Sequence, residues 1–142
     1  MTDLSNLIAH ALIKNSNDEF LILKRTLIEH GKENFEGGKW DIPGGTVEMS
    51  EFPSETAVRE TKEETGLDVI VEKIIYEKSN IDKNKNQVFT TLIYLCCLSG
   101  ASEAIKLDLE EHDAYKWVTK EDIIEMNDND LVSYMKGLMK VL

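Results

Sequence analysis

Three glutamates share one face of a predicted helix. Glu60, Glu63 and Glu64 stand at positions i, i+3 and i+4, and at about 100° per residue their side chains fall on one stripe of a helix over Pro53–Thr65. Like charges about 4 Å apart repel by about 1 kcal/mol in water and by roughly 4 kcal/mol where water is partly excluded. Hard Mg²⁺ and Mn²⁺ ions prefer carboxylate oxygens. The stripe therefore indicates a divalent-metal site, and a solvated acidic face with Lys62 beside it is the alternative.

The residues next to this stripe favour the metal site. Gly44 and Gly45 come shortly before the helix, and glycine allows backbone carbonyls to approach an ion closely. Arg59 can form a bidentate ion pair with Glu51, which would hold the intervening loop against the helix. A helix face that is merely solvated requires neither feature.

The segment from Gly45 to Leu67 resembles the Nudix box. That motif reads Gly, five residues, Glu, seven residues, Arg-Glu, an apolar residue, any residue, Glu-Glu, any residue, Gly and an apolar residue. The chain supplies the fixed identities as Gly45, Glu51, Arg59, Glu60, Glu63, Glu64 and Gly66. Thr61 stands at an apolar position and can still pack through its methyl group. A chance match is expected on the order of once in 10⁷–10⁸ positions, so the resemblance is specific.

The resemblance extends beyond the box. Residues 40–45 are similar to the usual lead-in, residues 21–25 to the family's second strand, and Glu111-His112 to the start of a later strand. It implies an α/β fold, the Nudix α/β/α sandwich with a mixed β-sheet, formed as a single domain by residues 1–142. Within the box it gives Glu51 and Gly66 structural roles. It also implies a MutT-like hydrolase that uses Mg²⁺ or Mn²⁺.

The resemblance further implies a set of metal ligands. Its core is the three glutamates of the stripe, Glu60, Glu63 and Glu64. The backbone carbonyl of Gly44 often joins them in the family. Glu111 or its neighbour Glu110 is implied as an outlying ligand or base, and an exposed acidic turn is the alternative for both. His10, His30 and His112 lack metal-ligand spacing, so none of them is predicted to bind the ion.

Catalytic and substrate-binding roles are implied in the same way. Glu60 and Glu63 are the candidates for the general base, and Arg59 belongs to the catalytic group. Arg25, at the end of the predicted second strand, is implied to bind substrate phosphate together with Gly45. A surface arginine at a strand end is the alternative for Arg25. The ions contact the phosphates and activate a water molecule, so positioning and charge neutralisation dominate the chemistry.

The implied reaction is metal-dependent hydrolysis of a diphosphate bond in a nucleoside triphosphate or a related nucleoside diphosphate compound. ADP-ribose-type members carry a downstream proline, and this chain has none after Pro53. Diadenosine-polyphosphate-type members carry a tyrosine where this chain has residues 83–85, Lys-Asn-Lys. A MutT-like triphosphatase remains by elimination. A sugar-nucleotide pyrophosphatase and a non-catalytic nucleotide-sensing module are the alternatives, and the intact glutamates favour an enzyme.

Several elements must position these residues. Hydrophobic patterning predicts strands at 7–14, 19–25, 68–76, 87–98 and 114–118. The short apolar stretch at 40–42 is followed by Pro-Gly-Gly, which predicts a turn. Thr119 and Asp122 form a capping box before a short helix. A last amphipathic helix begins at Asp128 or Asn129. The loops at 30–39 and 82–86 are expected to determine substrate specificity.

Composition limits the partners and the location. The net charge of −11 disfavours long nucleic acid, and no apolar run approaches the ~20 residues that span a membrane. The first ten residues lack the features of a secretory signal. Cys96 and Cys97 are adjacent, which excludes a disulfide framework and favours reduced thiols in the cytoplasm. The expected partner is a small nucleotide-like molecule, and a homodimer is left open.

Overall fold

The computed structural model describes residues 5–100 and 104–142, so part of the N-terminal segment considered above lies outside the described residues. In this part of the chain, the elements are β1 (Ser5–Lys14), β2 (Phe20–Arg25), β3 (Ile28–Glu29), β4 (Lys32–Glu33), β5 (Trp40–Asp41), β6 (Gly44–Thr46), α1 (Pro53–Thr65), β7 (Val69–Asp82), β8 (Gln87–Leu98), β9 (His112–Val118), α2 (Lys120–Glu125) and α3 (Met135–Lys140). None of the helices described is long and apolar enough to cross a membrane.

The main sheet is mixed, as expected. Strand β1 runs parallel to β8 along its whole length, from the pair Ser5–Val88 to the pair Lys14–Cys97, and β7 pairs antiparallel with β8. Strands β1 and β2 pair beside their connecting turn. Farther along, β1 pairs with β6 while β2 pairs with β5 and β9. The sheet therefore has two halves, one formed by β1, β6, β7 and β8 and the other by β2, β5 and β9. Polar side chains of both halves line one cavity.

Alternation along β1 divides the core into two layers. Ala11 and Ile13 pack on the face of the sheet that carries α1, where Ala57 is also fully buried. Leu12 points to the opposite face and packs with Ile123 of α2 and residues of α3. Burying one large apolar side chain contributes about 1.5–3 kcal/mol. Helices thus cover both faces of the sheet, which confirms the predicted α/β/α sandwich.

Helix α1 has the predicted bounds because its two ends are marked locally. Pro53 occupies the first turn, and Gly66 takes the left-handed conformation at φ 78° while its N–H donates to the Lys62 carbonyl. Thr61 is fully buried, and its hydroxyl donates to the Ala57 carbonyl at 2.7 Å. The threonine at the apolar box position is therefore packed and satisfied.

The C-terminal region differs from the prediction of one helix beginning near Asp128. Residues Asp128–Asp130 form a single 3₁₀ turn, which the Asn127 side chain caps, and α3 begins only at Met135. Between them Leu131 bridges to Trp40, and the Val132 N–H donates to the Trp40 carbonyl. This tertiary pairing keeps the backbone extended where apolar spacing alone favoured a helix.

Three other predictions also differ from the structure. Strand β7 continues to Asp82 instead of ending at Tyr76, because its pairing with β8 continues to the turn. The loop predicted at 30–39 contains β4, which pairs with β3 in a two-stranded hairpin. The Gly-Gly pair, predicted as a turn, begins strand β6.

Candidate active site

A cavity of about 1050 Å³ opens between the two halves of the sheet. Its walls come from the middle of β1, the end of β2, the loop at 34–36, strand β6, helix α1, the turn between β7 and β8, the start of β9 and residues 133–134. Ligand sites commonly have volumes of about 300–1000 Å³. The cavity is therefore large enough for a whole nucleotide, and both loops expected to determine specificity contribute to it.

Glu64 lies at the base of this cavity. Its side chain is almost fully buried, and its Oε2 accepts a hydrogen bond from the Gly44 N–H at 3.0 Å. Its Oε1 lies 3.5 Å from Nδ1 of His112. One ligand atom each from Glu64, Glu111 and His112 all lie within 4.8 Å of one another. The structure thus brings together two of the predicted ligands and a histidine that the sequence analysis had set aside.

The electrostatics of the cluster favour a cation. Burial, followed by the charges of Glu111 and Glu60, raises the pKa of Glu64 far above its ordinary value. Burial and then Glu29 raise the pKa of Glu111 to about 6. Burial lowers the pKa of His112 to about 4, so its imidazole is neutral at pH 7. A divalent ion would stabilise both carboxylates in their charged form.

His112 provides a direct test of whether a metal fits. Nδ1 of His112 is buried and has no hydrogen-bond partner among the described residues. Buried polar atoms are rarely left unpaired, and a neutral imidazole nitrogen beside two carboxylates is a common donor set for divalent metals. The residues present therefore fit a divalent ion, and the carboxylates supply the oxygen ligands that Mg²⁺ and Mn²⁺ prefer.

Gly44 and Gly45 allow close packing around the site. A Cβ at Gly44 would lie 2.3 Å from the His10 ring, and a Cβ at Gly45 would lie 2.5 Å from the carboxyl carbon of Glu60. The side chain of Glu60 is 17% exposed and lines the cavity next to Glu64. The glycines thus let strand β6 lie directly against the acidic face of α1.

Arg59 joins the box loop to the helix. Its guanidinium donates two hydrogen bonds to Glu51, at 2.7 and 3.1 Å, which is the predicted bidentate pair. It also contacts Glu60 at 2.9 Å and Glu63 at 3.2 Å. The Arg59 hydrogen bond lowers the pKa of Glu51 to about 2. Glu63 is 57% exposed and lies outside the cavity lining, so only two of the stripe glutamates face the cavity.

Arg25 lines the cavity but is held by other residues. Its NH1 lies 3.0 Å from the buried carboxylate of Asp41, and its other nitrogens donate to the Phe35 carbonyl and to Asn34. Asp41 also accepts a hydrogen bond from the Tyr134 hydroxyl. Sequence reasoning missed Asp41, Tyr134 and His112. His112 is recognised as part of the site only from the strand register, which places it opposite Arg25.

Comparison with known proteins identifies the family, since the NUDIX domain model matches residues 5–139. The chain belongs to the Nudix family. A MutT-like protein of Streptomyces ambofaciens is 31% identical over 90 residues, which cover 63% of this chain and 54% of that protein. The asymmetrical bis(5'-nucleosyl)-tetraphosphatase of Mus musculus is 31% identical over 116 residues, covering 79% of this chain and 71% of that enzyme.

The fold also agrees with solved Nudix structures. The MutT protein of Methanosarcina mazei Go1 superposes with a TM-score of 0.78 at 28% identity, covering 99% of this chain and 94% of that one. The match covers little more than half of the Streptomyces protein. Family membership and fold together make this chain a Nudix hydrolase.

Proposed function

We propose that this Nudix hydrolase cleaves a diphosphate bond in a nucleoside triphosphate or a related nucleotide, with Mg²⁺ or Mn²⁺ as cofactor. The observation that supports this most strongly is the cluster of buried Glu64, partly buried Glu111 and buried His112 in a nucleotide-sized cavity. Glu60 adds a carboxylate to the same wall. In this proposal these four side chains hold the metal, while Glu63 and the Gly44 carbonyl remain predicted ligands.

The proposed chemistry divides among the chain's own groups. A bound divalent ion supplies charge neutralisation and lowers the pKa of water. In this proposal Glu60 or Glu63 accepts the proton of the attacking water, whose oxygen forms a bond to phosphorus as the bridging P–O bond breaks. The leaving phosphate departs with the bridging oxygen. The Gly44 N–H orients Glu64, and Arg59 fixes the position of Glu60.

A dinucleoside polyphosphate is the second candidate substrate. Similarity to the mouse tetraphosphatase favours it, although the chain lacks the tyrosine that marks that type. A sugar nucleotide and a non-catalytic sensing role are the remaining alternatives. The intact glutamates of the box support an enzyme over a sensor.

The proposal includes the molecule's setting. We propose one domain over residues 1–142 that acts on a small molecule. A cytoplasmic location is part of this proposal, and the free thiols of Cys96 and Cys97 are compatible with a reducing compartment. Light scattering during size-exclusion chromatography would measure the mass and distinguish a monomer from a homodimer.

A substrate panel with Mg²⁺ or Mn²⁺ tests the function. Canonical and oxidised nucleoside triphosphates, ADP-ribose, sugar nucleotides and dinucleoside polyphosphates would be scored for release of phosphate and pyrophosphate. We expect metal-dependent turnover of a triphosphate or a dinucleoside polyphosphate. Silence across the panel, with folded and metal-bound protein, would contradict the proposal and favour a sensing module.

A further inference from the structure

The cavity carries a charge imbalance that a polyanionic substrate must overcome. Eight carboxyl side chains line it, against three lysine and arginine side chains, Arg25, Lys83 and Lys85. Arg25 is already paired with Asp41 at 3.0 Å. Among the described residues, Lys83 and Lys85 have no carboxylate partner and are solvent-exposed. They are therefore the lining cations that remain available to a ligand.

Their placement is determined by the β7–β8 hairpin. The last pair of this hairpin joins Asp82 to Gln87, so the turn carries both lysines to the cavity wall. The Asp82 carboxylate accepts hydrogen bonds from the N–H groups of Asn84 and Lys85, at 3.0 and 3.2 Å. A short polar side chain that bonds to the backbone two and three residues later stabilises such a turn. The Asp82 side chain thus stabilises the turn that carries the lysines.

The metal cluster and the lysines lie on separate elements of one cavity. Phosphates bound at the metal are neutralised there, but each further phosphate adds negative charge beside the remaining carboxylates. Unpaired ammonium groups offset that charge. We propose that Lys83 and Lys85 bind the phosphates farther from the metal, so that the site selects chains of three or more phosphates over nucleoside diphosphate compounds such as sugar nucleotides. This inference rests on the proposed function and narrows its substrate class.

Neutral and conservative variants test the lysines. Lys83→Gln combined with Lys85→Gln removes both charges, and the corresponding double arginine variant keeps them. Lys73→Gln is the matched control, because Lys73 is an exposed lysine of β7 outside the cavity lining. For the double glutamine variant we expect the KM for a nucleoside triphosphate to rise roughly tenfold with kcat within about twofold. The KM for a sugar nucleotide should change by less than about twofold. The double arginine variant should retain the triphosphate selectivity of the parent protein.

Equilibrium binding separates this inference from the proposed function. A methylene-bridged nucleoside triphosphate and the matching diphosphate would be titrated into the parent protein and into the double glutamine variant, with calorimetric detection and in the presence of Mg²⁺. If the double glutamine variant binds the triphosphate analogue more weakly but the diphosphate analogue equally well, the lysine site is supported, even when the substrate panel shows no turnover. Active enzyme whose selectivity for phosphate number is unchanged in the double glutamine variant would overturn the inference and leave the hydrolase proposal intact. An equal loss for both analogues would also overturn it.

Discussion

Glu64 combines three constraints in a single residue. It is a carboxyl group 3% exposed to solvent, it lies 3.5 Å from a histidine nitrogen, and it accepts a hydrogen bond from the backbone of β6. A buried carboxylate beside other carboxylates is unfavourable unless a cation compensates it. Much of the proposed chemistry should therefore depend on this side chain.

We predict that Glu64→Gln lowers kcat on the order of a hundredfold or more while the fold remains intact. A ligand charge is lost, and metal ions contribute several kcal/mol to catalysis of this kind. The glutamine carbonyl can still accept from Gly44, and the substituted side chain has nearly the same size, so the unfolding temperature without metal should be nearly unchanged. Turnover with Mg²⁺ and thermal melting monitored by circular dichroism measure the two effects.

Glu63→Gln is the comparison for that variant. Glu63 is an exposed partner of Arg59, so we expect a smaller loss than for Glu64→Gln. A folded Glu64→Gln protein with normal turnover would refute the proposed role of Glu64.

Gly45→Ala should damage the site more than the fold. Its new Cβ would meet the carboxyl end of Glu60, which is a flexible group that can move away. We expect kcat to fall because Glu60 leaves its position, while the unfolding free energy changes little. Kinetics and urea unfolding test both parts.

Gly31→Ala is the control for the glycine variant. Gly31 has φ 78° and open space around its Cβ direction, so alanine there costs about 1–2 kcal/mol of stability. Gly31 lies outside the cavity lining, so the activity of the Gly31→Ala variant should be unchanged. Unaltered kinetics in Gly45→Ala would show that the close approach to Glu60 has no functional role.

At the scale of elements, one ion pair joins the box loop to α1. The hydrogen bond from Arg59 lowers the pKa of Glu51 from an ordinary 4.5 to about 2. A carboxyl whose pKa is depressed on folding contributes stability that is fully present above pH 4.5 and is lost as the pH falls towards 2. Acid should therefore weaken the attachment of the loop.

We predict that Glu51→Gln reduces the free energy of unfolding at pH 7 and that this difference from the parent protein disappears as the pH approaches 2. Urea unfolding between pH 2 and pH 7 measures it. Glu125→Gln, which changes an exposed carboxylate of α2, should show no comparable pH dependence. A pH-independent difference for Glu51→Gln would indicate that the carboxylate charge is not what stabilises the loop.

The elements also show what local sequence can predict. Helix α1 was predicted with its correct bounds because Pro53 and Gly66 mark its ends within a few residues. The last helix was predicted wrongly because Val132 bonds to Trp40, far away in sequence. The role of His112 was missed for the same reason, since the register of β9 on β2 brings it to the cavity. The site residues of the box were thus accessible from spacing, whereas those supplied by long-range pairing were not.

At the scale of the whole molecule, metal binding should be linked to folding. Glu64 is distant in sequence from the adjacent pair Glu111 and His112, and the three side chains meet only in the native structure. An ion that binds the folded state alone stabilises it by about 2.7 kcal/mol at one hundred times its dissociation constant. The protein should therefore melt at a higher temperature when the ion is present.

We predict that millimolar Mg²⁺ or Mn²⁺ raises the melting temperature by several degrees. Differential scanning calorimetry with and without chelator gives the shift. The increase should be much smaller in Glu64→Gln, which serves as the control for nonspecific salt effects. No change in the melting temperature at millimolar metal would contradict the assignment of the cluster as a metal site.

The parallel pairing of β1 with β8 has a consequence for biosynthesis. Ser5 pairs with Val88, so the partner of the first strand is translated about 80 residues later. At about 5–20 residues per second, β1 waits roughly 4–16 seconds on the ribosome without its neighbour. During this interval the apolar side chains of β1 cannot be buried against β8. The nascent chain therefore has a period of exposure to chaperones and to aggregation that is determined by strand order.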